Sequence, residues 1–411
     1  MTTSRLFAAD GPGLAEHLRQ FGALPDSADA SLVSRLDQSG LTGRGGAGFP
    51  TGRKLASITG RKAVVIGNGA EGEPLSHKDA QLLSRSPHLV LDGLEVTAAA
   101  VSADKVVMYV PASTVPTINR ALRERASAKL DRHRVTVIEA PDGYVAGEES
   151  AVIRRVEGGP ALPRDRTVLA STSGVRGRPT LVNNVETLAH VALIARYGPQ
   201  WFRSVGDPSE PGTMLVTLAA HETRSVLEVP TGTQLGDLVG HVGVTDSGMP
   251  RAVLLGGYHG SWIPGTMITE ARLSRAGLAH LGASPGAGII HTLPMNQCGL
   301  ARTAAILGYL ADEGARQCGP CLNGLPRLAR LFDVLAHRRV DEGLLAEVHR
   351  MIGVVDGRGS CRHPDGTARM ARSALDTFAA DITHHRHSRC EAALASMPST
   401  AHSRHQTSGT R

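Results

Sequence analysis

The stretch Lys62-Ala63-Val64-Val65-Ile66-Gly67-Asn68-Gly69-Ala70-Glu71-Gly72-Glu73-Pro74 opens with a short apolar run, KAVVI, and then turns polar and glycine-rich. That is the signature of a strand running into a loop. Outward from it the pattern repeats. Residues 87–102 (PHLVLDGLEVTAAAVS) read as a helix, Lys105–Val110 (KVVMYV) as a second strand, residues 116–132 as a basic helix, and Arg134–Ala140 (RVTVIEA) as a third strand. Strands alternating with helices predict an α/β fold built on a largely parallel sheet. Upstream, residues 12–40 carry helical periodicity (LAEHLRQF, SLVSRLDQSG), followed by a glycine-rich loop from Gly43 to Gly52. Downstream, the loop Asp142–Gly147 leads into a helix near Glu148–Glu157, and another helix runs from about Asn184 to Ala195. Residues 212–264 then alternate short β-like runs (TMLVTLA, SVLEVP, AVLLGG) with turns, which predicts a small β-rich or α+β unit. From about residue 296 the pattern is helical again. The tail after Arg386 is rich in Ser, Thr, His and Arg and reads as disordered.

The 411 residues allow two to four domains at about 150 residues each. With 41% apolar and 20% charged residues the chain can bury large cores, which excludes a disordered or coiled-coil protein. No apolar run approaches the ~18 residues that span a bilayer, and the start lacks a signal-peptide core. The expectation is a cytoplasmic protein, or a peripheral subunit of something larger, with no direct membrane insertion. Aromatic residues make up 3%, too few for nucleic-acid stacking platforms, so no nucleic-acid partner is expected. The net charge is +6. One basic cluster, Arg120, Arg123, Arg125, Lys129, Arg132 and Arg134, reads first as a solvated helix face and second as a docking surface for an acidic partner. All five cysteines, Cys298, Cys318, Cys321, Cys361 and Cys390, fall in the last third of the chain. An odd number confined to one region points to a metal or redox site rather than to disulfides. The tail histidines His384, His385, His387, His402 and His405 read as stray residues before they read as metal ligands.

Gly43-Arg44-Gly45-Gly46-Ala47-Gly48 fits the pattern G-x-G-x-x-G, a weak signal alone. A dinucleotide-binding turn should follow a strand, whereas the residues before this one look helical. It also fails as a nucleotide-phosphate loop, because Gly52 is followed by Arg53 and Lys54. What survives is a run of backbone N–H groups without Cβ crowding, flanked by Arg44, Arg53 and Lys54. That chemistry suits a phosphate or a flat ring approached closely. Phe49-Pro50 within the loop argues for a fixed shape rather than a flexible linker.

At this point several motifs together resemble one family. GRGGAGFPTGRK (43–54) resembles the flavin loop of the FMN-binding, NADH-oxidising subunit of respiratory complex I, a module shared with NAD-linked hydrogenases and formate dehydrogenases. Asn68 to Pro74 with Lys78-Asp79 resembles the family's N-A-D-E-G-E-P…K-D. Gly143 to Ala151 resembles G-x-Y-x-x-G-E-E-T-A, and Pro179 to Thr187 resembles P-T-x-V-N-N-V-E-T. Gln317-Cys318-Gly319-Pro320-Cys321 resembles part of the family's cluster loop. Order and spacing hold over residues ~12–390.

The resemblance implies a Rossmann-like FMN- and NADH-binding α/β domain over 41–205 behind an N-terminal helical segment over 1–40. It implies a ubiquitin-like β-grasp domain of soluble-ligand-binding type over 206–288, assigned to packing and partner contact. It further implies a helical iron–sulfur domain over 289–390 and a disordered tail over 391–411. The glycine loop (Gly43, Arg44, Gly45, Gly46, Gly48) becomes the phosphate and flavin cradle, with Lys54 as its positive contact. Asn68, Asn183 and Asn184 offer amides to the flavin, the last two at a helix start where capping is the alternative. Glu71, Glu73, Glu148 and Glu149 are candidates for ribose hydroxyls and the nicotinamide amide, although acids are favoured at a helix N-terminus in any case. Phe49 and Tyr144 are candidates for stacking on NADH, and Gly147 and Thr187 complete the binding set. The function implied is that of an NADH:acceptor oxidoreductase subunit. It passes hydride to FMN, then single electrons to a [4Fe–4S] cluster and on to a ferredoxin-like or thioredoxin-like iron–sulfur protein, or to a membrane reductase. No acid–base catalytic residue is required.

Three departures from the family pattern stand out. Ala70 replaces an aspartate. Arg166-Thr167-Val168-Leu169-Ala170 stands where the family has a basic residue followed by Pro-Pro-Phe-Pro, removing an aromatic wall. The family's cluster motif is C-x-x-C-x-x-C with a fourth cysteine about forty residues on. Cys318, Cys321 and Cys361 match three of these positions, and Ala315 occupies the first. A cubane with another fourth ligand, a three-iron cluster, and no cluster all remain open. Cys298 and His363 are possible substitutes, and a diaphorase without a cluster or a non-catalytic scaffold are the rival functions.

Overall fold

The structure is a computed structural model that describes residues 4–25, 31–60, 62–165, 168–220, 223–241, 248–337, 340–387, 389–390 and 392. The expected tail over 391–411, with His402 and His405, thus lies outside the described residues except for Ala392.

Helices α1 (Leu14–Phe21), α2 (Ser31–Ser39) and α3 (Thr51–Ala56) precede the first layer, with the glycine loop between α2 and α3. The layer itself runs β1 (Val64–Asn68), α4 (Lys78–Arg85), α5 (Pro87–Ala100), β2 (Lys105–Pro111), α6 (Val115–Ser127), β3 (Val135–Ala140), α7 (Glu149–Val156), β4 (Thr180–Asn184) and α8 (Val185–Arg203). The four strands form a wholly parallel sheet in the order β3-β2-β1-β4. Such sheets are covered on both faces, so their strands read as apolar runs. Val65, Val106 and Met108 face α5 and α8, while Val64, Ile66, Val107 and Tyr109 pack against Val152, Ile153 and Val156 of α7. Strand order reverses at β1, which has β2 on one side and β4 on the other. The crevice at the carboxyl ends of such a pair is where open α/β sheets bind ligands. Here those ends are Asn68 and Asn184, paired in register.

Arg125 departs from the expected solvated face. It is buried and bonded to Asp92 (2.8 Å) and Asp131 (2.5 Å), with Arg196 and His17 on the same Asp92 at 2.5 and 2.7 Å. Burial alone would raise the Asp92 carboxyl, but the His17 hydrogen bond and the two guanidinium charges hold it well below the usual carboxylate range.

The second sheet contains β5 (Thr213–Ala220), β6 (Thr223–Pro230), β7 (Ala252–Leu255), β8 (Ser261–Pro264) and β9 (Ile289–Leu293), with α9 (Leu235–Gly240) and α10 (Arg275–Ala279) between strands. Its order is β6-β5-β9-β7-β8. Two antiparallel hairpins flank β9, which runs parallel to β5. That is the β-grasp arrangement. It also places β9 at the sheet's centre, beyond the boundary expected at residue 288. One face packs on α9 through Leu235, Leu238 and Val239. The other packs on the C-terminal helices α11 (Gly299–Asp312), α12 (Leu325–His337), α13 (Glu342–Val355), α14 (His363–Thr377) and α15 (Ala379–His385). Among the described residues no helix is long and apolar enough to cross a membrane.

Candidate functional site

A cleft of about 1050 Å³ opens at the carboxyl ends of β1 and β4. The glycine loop forms one wall although it precedes β1 in sequence, which explains why it fails the strand-then-glycine rule. The loop is pinned at its base by Gly43 N donating to Phe49 O (2.9 Å), Thr51 N donating to Leu41 O (2.9 Å) and a bridge between Thr42 and Pro50. Gly46 (φ +105°) and Gly48 (φ +62°) adopt left-handed backbone that L side chains avoid. A Cβ on Gly45 would lie 3.2 Å from the Asn184 Cβ, and one on Gly48 would overlap the Arg275 guanidinium at 1.6 Å. Glycine therefore favours both the close approach and the conformation here.

The cleft brings together Gly43, Gly45, Gly46, Gly48, Phe49, Lys54, Asn68, Glu71, Glu73, Tyr144, Gly147, Glu148, Glu149, Asn183, Asn184 and Thr187. Arg44 is the exception. It is buried with its guanidinium on the carbonyls of Pro211 (3.3 Å) and Thr213 (3.0 Å), while its backbone N–H donates to Thr187 Oγ1. Arg275 of α10 stands in the place expected for it, reaching Gly46 O at 3.4 Å. The sequence around Arg275 carries no motif that points to this role.

Several side chains have structural partners that limit their freedom. Lys54 Nζ bridges Glu149 Oε1 (3.0 Å) and Val182 O (2.6 Å). Asn68 donates to Gly147 O (3.0 Å) and accepts from Ala70 N (3.1 Å), tying the ends of two loops. Asn184 caps α8 through Glu186 N (2.9 Å) and donates to Asp79 (2.6 Å). Glu148 caps α7 through Ser150 N (2.8 Å) and Ala151 N (3.2 Å). Glu71 is occupied as the acceptor for Asp79 N and Ala80 N (both 3.2 Å) at the start of α4, and for Ser76 Oγ. Glu73 is half-buried beneath the β-grasp layer. It accepts from Tyr258 N (2.7 Å) and the Tyr144 hydroxyl (3.2 Å), and burial pushes its carboxyl up to about 7. Tyr144 packs edge-on against His259 with centroids 4.6 Å apart, whereas Phe49 is 54% exposed at the rim.

Asn183 Nδ2 and Thr51 Oγ1 are buried at the cleft wall with no hydrogen-bond partner among the described residues. Unpaired buried donors of this kind are costly unless a ligand meets them. Together with the glycine cradle and Lys54 they fit a flavin phosphate and ring system. Leu169, 75% exposed at the rim, stands in the departed Pro-Pro-Phe-Pro segment, of which Arg166 and Thr167 lie outside the described residues.

The β-grasp layer was expected to serve packing and partner contact, but Gly256, His259, Arg275 and Gly286 also line the cleft. The helical layer contributes Cys361, Arg362, His363 and Arg369. Burial, followed by the neighbouring Cys318 and Cys361 thiols, pushes the Cys321 thiol up to about 12. The loop bearing Ala315 passes close by, since a Cβ on Gly314 would sit 3.5 Å from Cys321 Sγ. Glu313, at the start of that loop, accepts from Tyr144 N (2.8 Å). Cleft and thiol group therefore share walls. Neither candidate substitute for the missing cysteine, Cys298 or His363, is positioned as one. His363 bonds to Leu310 O (2.7 Å) and His259 (3.0 Å), and Cys298 lies with His385 and Cys390.

A parallel α/β layer thus has its switch-point crevice closed by a β-grasp layer and a cysteine-bearing helical layer. Residues 36–193 match the family model for the Nuo51 FMN-binding domain, and residues 301–385 match that for the NADH-ubiquinone oxidoreductase-F iron-sulfur binding region. The chain is 30% identical over 381 residues to the second F subunit of NADH-quinone oxidoreductase from Rhizobium meliloti (strain 1021), covering 88% of this chain and 90% of the relative. It is 28% identical over 374 residues to the HndC subunit of the NADP-reducing hydrogenase of Solidesulfovibrio fructosivorans, covering 87% and 76%. Among solved structures, a chain of the NAD+-reducing [NiFe]-hydrogenase in the air-oxidized state superposes with a TM-score of 0.79 at 28% identity, and the match covers 88% of this chain and 64% of that one. The chain belongs to the family of the F subunits of NADH-quinone oxidoreductase.

Proposed function

We propose that this chain is the electron-input subunit of a larger complex, binding FMN in the cleft and oxidising NADH there. The observation that carries the reading is the shared wall: Cys361 lines the cleft, and Glu313, beside the loop that packs on Cys321, bonds the cleft residue Tyr144. FMN, when bound, supplies the exchange between a two-electron hydride donor and one-electron carriers. The chain's residues do the rest. The loop over 43–48 presents its N–H groups to the phosphate, with Lys54 and Arg275 supplying positive charge. Asn183 and Thr51 satisfy their donors on the ligand. The Glu148–Glu149 turn and the exposed Phe49 form the side open to NADH. Cys318, Cys321 and Cys361 would hold an iron–sulfur cluster, with Ala315 leaving the family's fourth position without a thiolate. The half-buried Cys318 and the exposed Leu322 beside it mark the exit toward a ferredoxin-like or thioredoxin-like iron–sulfur partner on the cytoplasmic side.

Lys54→Met tests the assignment. It removes the ammonium between Glu149 and Val182, and NADH oxidation with ferricyanide as acceptor should fall at least tenfold. Undiminished turnover would remove Lys54 from the site. Ala315 also favours a second reading, a diaphorase without a cluster, which iron analysis of the purified protein separates from the first.

A further inference from the structure

The two cysteines that the cluster does not use lie together. Cys298 sits at the start of α11, Cys390 follows α15, and His385 ends that helix. Their ligand atoms all fall within 4.8 Å of one another, with Cys298 Sγ and His385 Nε2 at 3.8 Å. A tetrahedral zinc ion with Zn–S of about 2.3 Å and Zn–N of about 2.05 Å holds its ligand atoms roughly 3.6–3.8 Å apart, so the group needs only a small contraction. His385 is oriented for the task. Its Nδ1–H donates to Leu335 O at 3.0 Å, which fixes the tautomer and leaves the Nε2 lone pair facing the sulfurs. The ring is buried and both cysteines are half-buried, so the site is reachable but shielded.

We propose that Cys298, His385 and Cys390 bind one zinc ion, separate from the redox centres, that ties the C-terminal end of α15 to the start of α11. Binding exchanges two thiol protons for the metal: two Zn–S bonds and one Zn–N bond form, two protons leave to solvent, and water fills the fourth position. The soft Cys2His donor set suits zinc rather than magnesium or calcium. Neither cysteine corresponds to a cluster position, so the ion is additional to the cluster rather than a replacement for it.

The test is elemental analysis of the full-length, FMN- and cluster-loaded protein after exposure to Zn2+ and dialysis against a weak chelator. Wild type should retain about one zinc per chain. Cys390→Ser, Cys298→Ser and His385→Asn should each lose it while flavin and iron contents stay at wild-type values, which also shows that the variants are folded. Cobalt(II) substituted at the site should give tetrahedral ligand-field bands in the red, absent from Cys390→Ser. A wild-type protein that retains no zinc, zinc retained equally by all three variants, or a Cys298–Cys390 disulfide in mass spectra of protein purified without reductant would each overturn the proposal.

Discussion

Gly48 shows how much one residue decides at this site. Its left-handed backbone strains any side chain placed there, and the Arg275 guanidinium occupies the space where one would begin. Gly48→Ala should displace Arg275 from the loop and weaken FMN binding at least tenfold, read by quenching of flavin fluorescence on titration. Arg275→Met should weaken it in the same direction, since this arginine stands where Arg44 was expected. Glu73 makes a different prediction. Its folded pKa of about 7 lies above the ordinary value of 4.5, so in that window the folded state binds more protons than the unfolded one. Stability is then full below pH 4.5 and falls as pH rises through about 7. Glu73→Gln should flatten that decline in Tm without changing the acid limb set by other groups. An identical profile in the variant would mean that the Glu73 carboxylate ionises without cost.

Elements carried by long apolar runs, such as β1, β2 and α5, are legible in the sequence, and those held by distant partners are not. Thr180–Asn184 offers only Leu181 and Val182 as apolar residues and becomes β4 because β1 pairs with it in register. Helix α4 starts with two charged residues, Lys78 and Asp79, that are both buried, which defeats any reading by hydrophobic periodicity. Lys78 is held there by Asp79 (2.7 Å) and Glu186 (2.8 Å). The start of α4 is capped from five or more residues upstream by Glu71. Glu71→Ala should therefore lower stability by about 1 kcal/mol through the loss of a helix cap, measurable by urea unfolding. Glu71→Gln, which keeps an acceptor, should recover part of it. Helix α8 runs past the expected end at Ala195 to Arg203, turning at Gly198 (φ +82°) before Pro199.

At the scale of the whole molecule, the glycine loop, the two asparagine-bearing strand ends and the acidic turns were legible as separate motifs, and the fold gathers them at one crevice. The contributions of Arg275, His259 and Arg369 were not legible, because these residues belong to other layers and carry no local pattern. The clustering of the cysteines in the last third was legible directly, whereas the set Cys318, Cys321 and Cys361 with its gap at Ala315 came only through the family resemblance. Restoring the family residue with Ala315→Cys should raise cluster iron toward four per chain and increase cluster stability to oxygen, as followed by iron analysis and the loss of visible absorbance in air. No gain would place the cluster loop differently from its family position. Electron input from NADH through a flavin to the thiol-bound cluster can be followed by anaerobic titration of the FMN- and cluster-loaded protein with NADH, with absorption and electron paramagnetic resonance recorded together. The flavin band should bleach within the first equivalent, accompanied by a reduced-cluster signal that is absent from Cys361→Ser. A flavin that NADH leaves oxidised would contradict electron input by this route.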